Sequence, residues 1–412
     1  MMFRFGGWLA ILLSAAAAMG ANVDFDARFK WFGTANALPP EDATRQQLGT
    51  PLYNHSLDFR GLFRARPSDA LPFRFIADYS VIYIGGDGAA GIQSPIDQTP
   101  TEDSSRLFEL TWTISEGSRH DAFHRFDRLA VEYRKASWGV TVGRQAVSWG
   151  SGFVFQPMDL FSPFSPTTVD RDYKPGDDIV LVEKLFDGGS DLQLLAVGRR
   201  NDSGDADVDQ SSFAAKWYGL FGFSEIELMV GRHYVDDVFG FTFRTPISGA
   251  MLRTDIIGTH LEDDGWRVSG IVNIDYSFPI AGRSSYAFLE YFHNDFGVRT
   301  LPPNPLLLPQ PLLDRLTRGE LFNFMRDYTA VGLNHEWHPL WRQSISLLTN
   351  WQDKSNLVQT TLSYEPSDHT RLELGVIAVL GDAGDEFGGV PVAPGLTTGG
   401  GTRGFVRFVY YW

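Results

Sequence analysis

Hydrophobic and polar residues alternate along most of the chain. In the stretch WRVSGIVNIDYSF at 266–278, apolar residues such as Val268 and Ile274 are separated by polar or charged ones. The same pattern recurs at 358–364 and 371–380. Because successive side chains of a strand point to opposite faces, this period of two predicts β-strands with one apolar face and one wet face.

A soluble all-β protein, such as a propeller or a pair of sandwiches, would also contain many short alternating strands. Two further features favour a membrane barrel. Charges of both signs lie in the middle of the wet faces, which a water-filled lumen tolerates better than a packed core does. Tryptophans also cluster near predicted strand ends, where membrane barrels place interfacial girdles; they are Trp112, Trp138, Trp149, Trp217, Trp266, Trp337, Trp341 and Trp351.

Residues 1–20 have the pattern of a secretory signal peptide. Arg4 precedes an apolar run from Trp8 to Met19 that is too short for a membrane-spanning helix. The rest of the chain contains no composition break or Pro/Ser-rich linker. We therefore predict a signal peptide at 1–20 and a single barrel domain at 21–412.

The number of strands follows from the turns. About nineteen alternating segments can be counted, whereas a bacterial single-chain barrel has an even number of strands. Short connections such as EWHPLW and YEPSDH alternate with long loops after residue 136, but the alternation breaks between 66 and 125. We predict an all-β, antiparallel, up-and-down transmembrane barrel of about 18 strands, with 16 and 20 left open. The miscounted strand then lies in the region 66–125 or at the start of the chain.

The chain ends in GFVRFVYYW, an alternating segment whose last residue is aromatic. This segment resembles the C-terminal signal by which Gram-negative outer-membrane β-barrels are recognised for insertion, with Phe408, Tyr410 and Trp412 as the signal residues. The resemblance implies that the chain lies in the cell outer membrane. It also implies contact with outer-membrane lipid and with the barrel-assembly machinery.

The segment GRQAVSWGSGFVFQPMDLFSPFSPTTVDRDYKPGDD at 143–178 carries several prolines and aromatics. The prolines forbid a continuous strand or helix, and folding into the barrel would bury the aromatics. We predict that 148–177 is an inward-folding constriction loop, with an ordinary surface loop as the alternative. The segment also resembles a Gly-Arg-Gln, Ser-Trp-Gly, Pro-x-Asp stretch of porin-like outer-membrane proteins.

Charged residues of this loop are the candidate pore residues. Opposite charges across a narrow point create a transverse field that orders ions and dipolar solutes. The candidates are Arg144, Asp170, Arg171, Asp172, Lys174, Asp177 and Asp178. Their acidic excess predicts a weak preference for cations.

A second long loop is predicted at 302–323, on the extracellular side. It begins as a Pro-Leu segment and continues with helical spacing, which places Leu312, Leu313, Leu316 and Leu321 on one side. We expect this side to pack inside the barrel mouth. Plugging of the pore, contact with the membrane surface and binding of a partner are left open.

Composition argues against several classes of function. Cysteine is absent and the formal net charge is −15, so thiolate metal sites, covalent haem and a basic nucleic-acid surface have no support. The acidic stretch at 201–209 lacks the spacing of a calcium loop. His233 lies near Asp236 and Asp237, but no Gly-x-Ser-x-Gly elbow accompanies it. We expect no cofactor, no metal, no nucleic-acid partner and no enzymatic activity.

These observations predict a porin-like outer-membrane channel for passive diffusion of small hydrophilic solutes or ions. The alternative is a structural or docking barrel whose lumen encloses a partner protein or an exported polymer. An inward loop at 148–177 would favour the channel, and a broad lumen would favour the sleeve. Homo-oligomerisation and the identity of the solute stay open.

Overall fold

The computed structural model describes residues 22–68, 71–88, 103–169, 171–262 and 264–412, so the predicted signal peptide lies outside the described residues. Antiparallel strands dominate. Two short helices, α1 (Ala43–Leu48) and α2 (Gln310–Thr317), and a 3₁₀ turn (Pro305–Leu307) lie in connections. The strands are β1 (Asn22–Ala37), β2 (Leu52–Arg66), β3 (Phe73–Gly86), β4 (Thr111–Gly117), β5 (His120–Lys135), β6 (Trp138–Gln145), β7 (Asp177–Leu185), β8 (Asp191–Val197), β9 (Ser212–Phe221), β10 (Ser224–His233), β11 (Asp236–Ile247), β12 (Ala250–Leu261), β13 (Gly265–Ile280), β14 (Arg283–Asn294), β15 (Asp327–His338), β16 (Trp341–Asn350), β17 (Asn356–Ser367), β18 (Thr370–Leu380), β19 (Val390–Ala393), β20 (Leu396–Thr398) and β21 (Thr402–Tyr411).

Eighteen of these strands form a closed antiparallel barrel, which confirms the predicted fold class and strand number. Each strand of the ring pairs with the next one, and β21 closes the ring by pairing with both β18 and β1. The closing pairs include Arg28 opposite Tyr411. Closure satisfies the backbone groups that an open edge would leave unpaired.

The nineteenth segment of the sequence count corresponds to β4, a short strand outside the ring. β5 pairs with β3 along one edge; on its other edge, β4 pairs with residues 120–125 and β6 with residues 129–135. β4 therefore continues the sheet beyond the end of β6. The miscount lies inside the region 66–125, where the turn alternation broke.

Connections at the two ends of the barrel differ in length. Short turns join β5 to β6, β9 to β10 and β13 to β14 at one end, and the first described residue, Asn22, and the last residue, Trp412, lie at this short-turn end. Long connections at the opposite, long-loop end contain both helices, β4 and the β19–β20 hairpin. Within the described ranges, no helix has the length and apolarity needed to cross a membrane.

The two faces of the wall follow the alternation predicted from the sequence. On β13, Val268, Val272 and Ile274 are exposed on the outer surface, whereas Asn273 is buried inside. Seven of the eight predicted girdle tryptophans are also exposed. Trp149 is the exception, because it lies in the loop after β6 and is buried among lumenal side chains.

The loop between β6 and β7, residues 146–176, folds into the barrel and is called the inward loop below. Met158 and Phe161 pack in one cluster with side chains from β7 to β12. Val154 and Phe155 pack in another with side chains from β13 to β18 and β21. The loop thus contacts most of the inner wall and occupies much of the lumen.

The connection between β14 and β15 contains the predicted loop 302–323. Leu312 is completely buried, and Leu313, Leu316 and Leu321 pack beside it in a cluster with Phe296. Leu261 at the end of β12 and Val390 on β19 belong to the same cluster. The leucine-rich side of this loop therefore packs inside the barrel mouth, as expected.

Candidate constriction site

A buried carboxylate on the wall holds the first limb of the inward loop. Glu290, on β14, accepts hydrogen bonds from the backbone nitrogens of Phe153, Val154 and Phe155 at 2.7, 3.0 and 2.8 Å. The amide of Asn273 on β13 also donates to it, at 3.1 Å. Loop backbone has no ladder partners of its own, so a carboxylate that accepts several N–H groups fixes its path.

Asp255 on β12 makes a second anchor next to the first. Its carboxylate accepts hydrogen bonds from the backbone nitrogen of Ser151 at 2.6 Å and from the Ser151 hydroxyl at 2.8 Å. Thr242 on β11 also donates to it, at 2.7 Å. Residues 151–155 are therefore tied to three neighbouring wall strands, β12, β13 and β14.

Two of the predicted site residues stabilise the loop from within. The Lys174 ammonium donates to both carboxylate oxygens of Asp159, at 2.5 and 2.6 Å, and to the carbonyl of Val147 at 2.5 Å. Arg171 donates to the carbonyls of Phe153, Ser165, Pro166 and Thr168. Burial raises the pKa of Asp159 to about 6, although Lys174 opposes this shift. Both cations therefore act as internal clamps of the inward loop.

Asp172 and Tyr173, between these two clamps, contact the opposite wall. The Asp172 carboxylate forms an ion pair with Arg407 on β21, and Arg407 also binds Glu373 on β18 at 2.6 Å. The Tyr173 hydroxyl donates to Asp78 on β3. Burial raises the pKa of this hydroxyl, so it stays protonated as the donor.

Arginines from four wall strands surround this contact. The Arg60 guanidinium on β2 lies 3.6 Å from the centre of the Tyr173 ring, that of Arg128 on β5 lies 4.6 Å away, and that of Arg28 on β1 lies 5.0 Å away. These are cation–π distances. Arg28, Arg60, Arg128 and Arg407 are called the arginine band below.

Carboxylates on the wall balance part of this positive charge. Asp127 pairs with Arg60 and lies 2.7 Å from Arg125 on β5, and Asp58 lies 3.3 Å from Arg60. The Nη2 atom of Arg28, by contrast, is buried and has no hydrogen-bond partner among the described residues. Arg28 is also directly opposite Arg60 in the β1–β2 pairing, where like charges repel.

The remaining predicted pore residues lie at the foot of the inward loop. Arg144, at the end of β6, donates to Asp178 at 2.9 Å, to Asp103 at 2.9 Å and to the carbonyl of Phe108 at 2.6 Å. It therefore holds the segment before β4 against the wall. Asp177 lies 3.9 Å from Arg199. Asp170 lies outside the described residues.

The structure thus separates the predicted pore residues into three groups. Asp172 contacts the arginine band, Arg171 and Lys174 stabilise the loop, and Arg144, Asp177 and Asp178 join wall segments. The predicted weak cation preference rested on the acidic excess among these residues of mixed sign. In the structure each described loop acid has a basic partner, since Asp159 pairs with Lys174 in addition to the pairs above.

The predicted insertion-signal residues lie at the short-turn end, on the outer face. Phe408 contacts Phe29 across the β1–β21 pair, and Tyr410 packs edge-on against Trp412. Trp412 is 58% exposed and also contacts Phe59 on β2. These aromatic residues therefore lie around the seam where the barrel closes.

The sequence did carry a signal for the arginine band. Arg28, Arg60 and Arg407 each occupy the wet phase of an alternating segment, between residues that face outward. The sequence does not show the pairing register, which brings the arginines of β21, β1, β2 and β5 to the same level along the barrel. Arg128 was harder to find because a bulge in the β3–β5 pairing leaves Asp127 without a paired residue on β3, so that the consecutive residues Asp127 and Arg128 are both buried.

No protein-family model matches the chain, and no curated protein resembles it in sequence. Solved structures do share its fold. The crystal structure of OccK5 (OpdH) from Pseudomonas aeruginosa aligns with a TM-score of 0.56 at 8% identity, over 94% of this chain and 98% of that one. OccAB3 from Acinetobacter baumannii gives a TM-score of 0.55 at 10% identity, over 95% and 99%. A BenF-like porin from Pseudomonas fluorescens Pf-5 gives 0.55 at 10%, over 95% and 98%. At these identities the likeness shows the fold.

Proposed function

We propose that the protein is an outer-membrane channel for passive diffusion of small hydrophilic solutes. The observation that carries this proposal is the inward loop, which narrows an eighteen-strand lumen and is fixed to both sides of it. A barrel of this size would otherwise enclose a wide aqueous passage. The porins with the same fold support the proposal by analogy.

The charge at the constriction supports a preference for anions. Four arginines of the band converge on the constriction, and among the described residues the buried Nη2 atom of Arg28 has no hydrogen-bond acceptor. A narrow, water-poor passage strengthens the field of such a group. We therefore replace the predicted weak cation preference with a proposed preference for small organic and inorganic anions.

The sleeve alternative requires a lumen wide enough for a protein or a polymer. The clusters on both sides of the inward loop fill that space with loop side chains, including the fully buried Met158. Removing them would expose apolar surface and break the anchors at Glu290 and Asp255. The geometry therefore favours a channel for small solutes over a docking barrel.

Planar-bilayer recording tests this function. The purified, refolded chain should give discrete conductance steps, and its reversal potential in a potassium chloride gradient should indicate chloride preference. Deleting residues 153–172 should enlarge the steps. Arg28→Gln should shift the reversal potential toward cations, whereas Arg119→Gln, which changes an arginine at the exposed long-loop end, should shift it much less. A folded barrel that is silent in every form would refute the channel.

We also propose that Phe408, Tyr410 and Trp412 form the recognition signal for the barrel-assembly machinery. Deleting Trp412 should lower the amount of barrel assembled in the outer membrane of living cells. Refolding of the same variant in detergent should change little, because the deletion removes one backbone hydrogen bond of the closing pair, from the Trp412 nitrogen to the Ala27 carbonyl, and leaves the paired residues of β21 in place. An equal loss in both assays would indicate a structural role instead.

A further inference from the structure

Asp172 and Tyr173 together place a carboxylate and an aromatic ring against the arginine band, which are the groups of an aromatic carboxylate anion. The carboxylate pairs with Arg407, and the neighbouring ring lies against the guanidinium groups of Arg60, Arg128 and Arg28. These are the groups that a small organic anion would use at the same place. The loop therefore already supplies the contacts that a solute would make.

The contact of Asp172 and Tyr173 with the arginine band is held in place by the residues on either side of them in the chain. Arg171 is bound to the carbonyl of Phe153, and Lys174 is bound to Asp159, so both neighbours of the Asp172–Tyr173 pair are fixed. The Arg128 guanidinium also donates to the Lys174 carbonyl at 2.5 Å. A group attached in this way has a high effective concentration at its site, without any need for strong individual contacts.

Exchange with a solute anion would cost little. The Arg407 side chain is only 3% exposed, so losing Asp172 with nothing in its place would deprive a buried cation of one of its carboxylate partners. A carboxylate that arrives as Asp172 leaves avoids that penalty. The Asp172 side chain itself is 23% exposed, so it can be rehydrated when it moves.

We propose that Asp172 and Tyr173 are a tethered occupant of the arginine band, which a solute anion displaces in order to pass. This inference rests on the proposed channel function and adds its regulation. The pair sets the affinity for the arginine band that a solute must exceed in order to displace it. Anions that offer both a carboxylate and a ring compete well, and simple anions such as acetate compete poorly. The band is then selective because the chain itself competes for it.

The test uses the refolded full-length barrel in a planar bilayer, with benzoate and acetate as probes. Asp172→Asn removes the internal carboxylate charge, and benzoate should then block the chloride current at about fivefold lower concentration, the factor expected for losing one partly exposed ion pair. Asp172→Glu should restore the wild-type value. Asp209→Asn is the matched control, because it removes the same charge from a side chain that is 67% exposed on another loop.

Tyr173→Leu separates the ring from the charge. It should strengthen the block by benzoate more than the block by acetate, because it frees the ring position and leaves the Asp172 pair in place. Equal benzoate block in the wild type, Asp172→Asn and Asp209→Asn would overturn the tethered occupant while leaving the channel intact. A wild-type barrel that does not conduct would instead refute the proposed function.

Discussion

Replacing Glu290 by alanine should release the inward loop from the wall. The substitution removes the acceptor of three backbone N–H groups and of the Asn273 amide. Hydrogen bonds to a charged acceptor contribute about 1.5–3 kcal/mol each, and water satisfies the same groups once the loop has opened. Because the three bonds share one carboxylate and are not additive, we expect a total loss of about 3–4 kcal/mol in local stability.

Amide hydrogen exchange measures this loss directly. A change of about 3–4 kcal/mol lowers the protection of the Phe153, Val154 and Phe155 amides by about two to three orders of magnitude. The amides of the wall strands should keep their protection. In single-channel recordings the variant should show larger and noisier conductance, since the loop samples positions away from β14.

Glu290→Gln provides a graded comparison. Its side-chain oxygen still accepts hydrogen bonds, but without the charge and with only one oxygen for the loop, so its protection should fall between those of the wild type and the alanine variant. If Glu290→Ala kept wild-type protection of these three amides in a folded barrel, the carboxylate would not be what holds the loop.

Three further outcomes follow from other buried groups. Burial raises the pKa of Glu386 to about 7, above its unfolded value. The folded form therefore binds the proton more tightly and loses stability as the pH rises from about 4.5 to 7. Proteolysis of the loop that contains Glu386 should be faster at pH 8 than at pH 5, and Glu386→Gln should remove the difference. Lys174→Met leaves Asp159 buried without its cation and should destabilise the inward loop by about 3–5 kcal/mol, seen as faster hydrogen exchange there, whereas unchanged exchange would show that the pair is dispensable. Gly143→Ala should prevent refolding, judged by the gel shift of the folded barrel, because a Cβ would lie 2.2 Å from a backbone oxygen at a φ of 123°; Gly188→Ala, with open space around it, should refold normally.

The architecture could be predicted from the sequence because the wall separates two solvents. Val268 and Ile274 must face apolar surroundings while Asn273 faces the interior, and this requirement produces the alternation of apolar and polar residues along β13. The closing strand was visible for the same reason, in Phe408 and Tyr410. The count failed only at β4, which alternates like a wall strand but pairs beyond the end of β6.

The site could be predicted only in part, because it depends on pairing between distant segments. Asp172 was found from its loop, but its partner Arg407 lies at the other end of the chain. The direction of Arg144 could not be predicted from alternation, since Gly143 has a φ of 123° immediately before it. Its partner Asp178 lies opposite it in the β6–β7 pairing, and its partner Asp103 comes from the segment before β4.

The pairing of the first strand with the last has a consequence for how the protein is made. Arg28 meets Tyr411 only after nearly the whole chain has been delivered, so ring closure is one of the most non-local events in folding. Until then β1 and the growing end of the sheet both present open edges that can pair with other chains. A chain that loses β21 would not form a smaller barrel. It would keep two strand edges with unpaired backbone groups, at β1 and β18, and we expect it to aggregate or to be degraded.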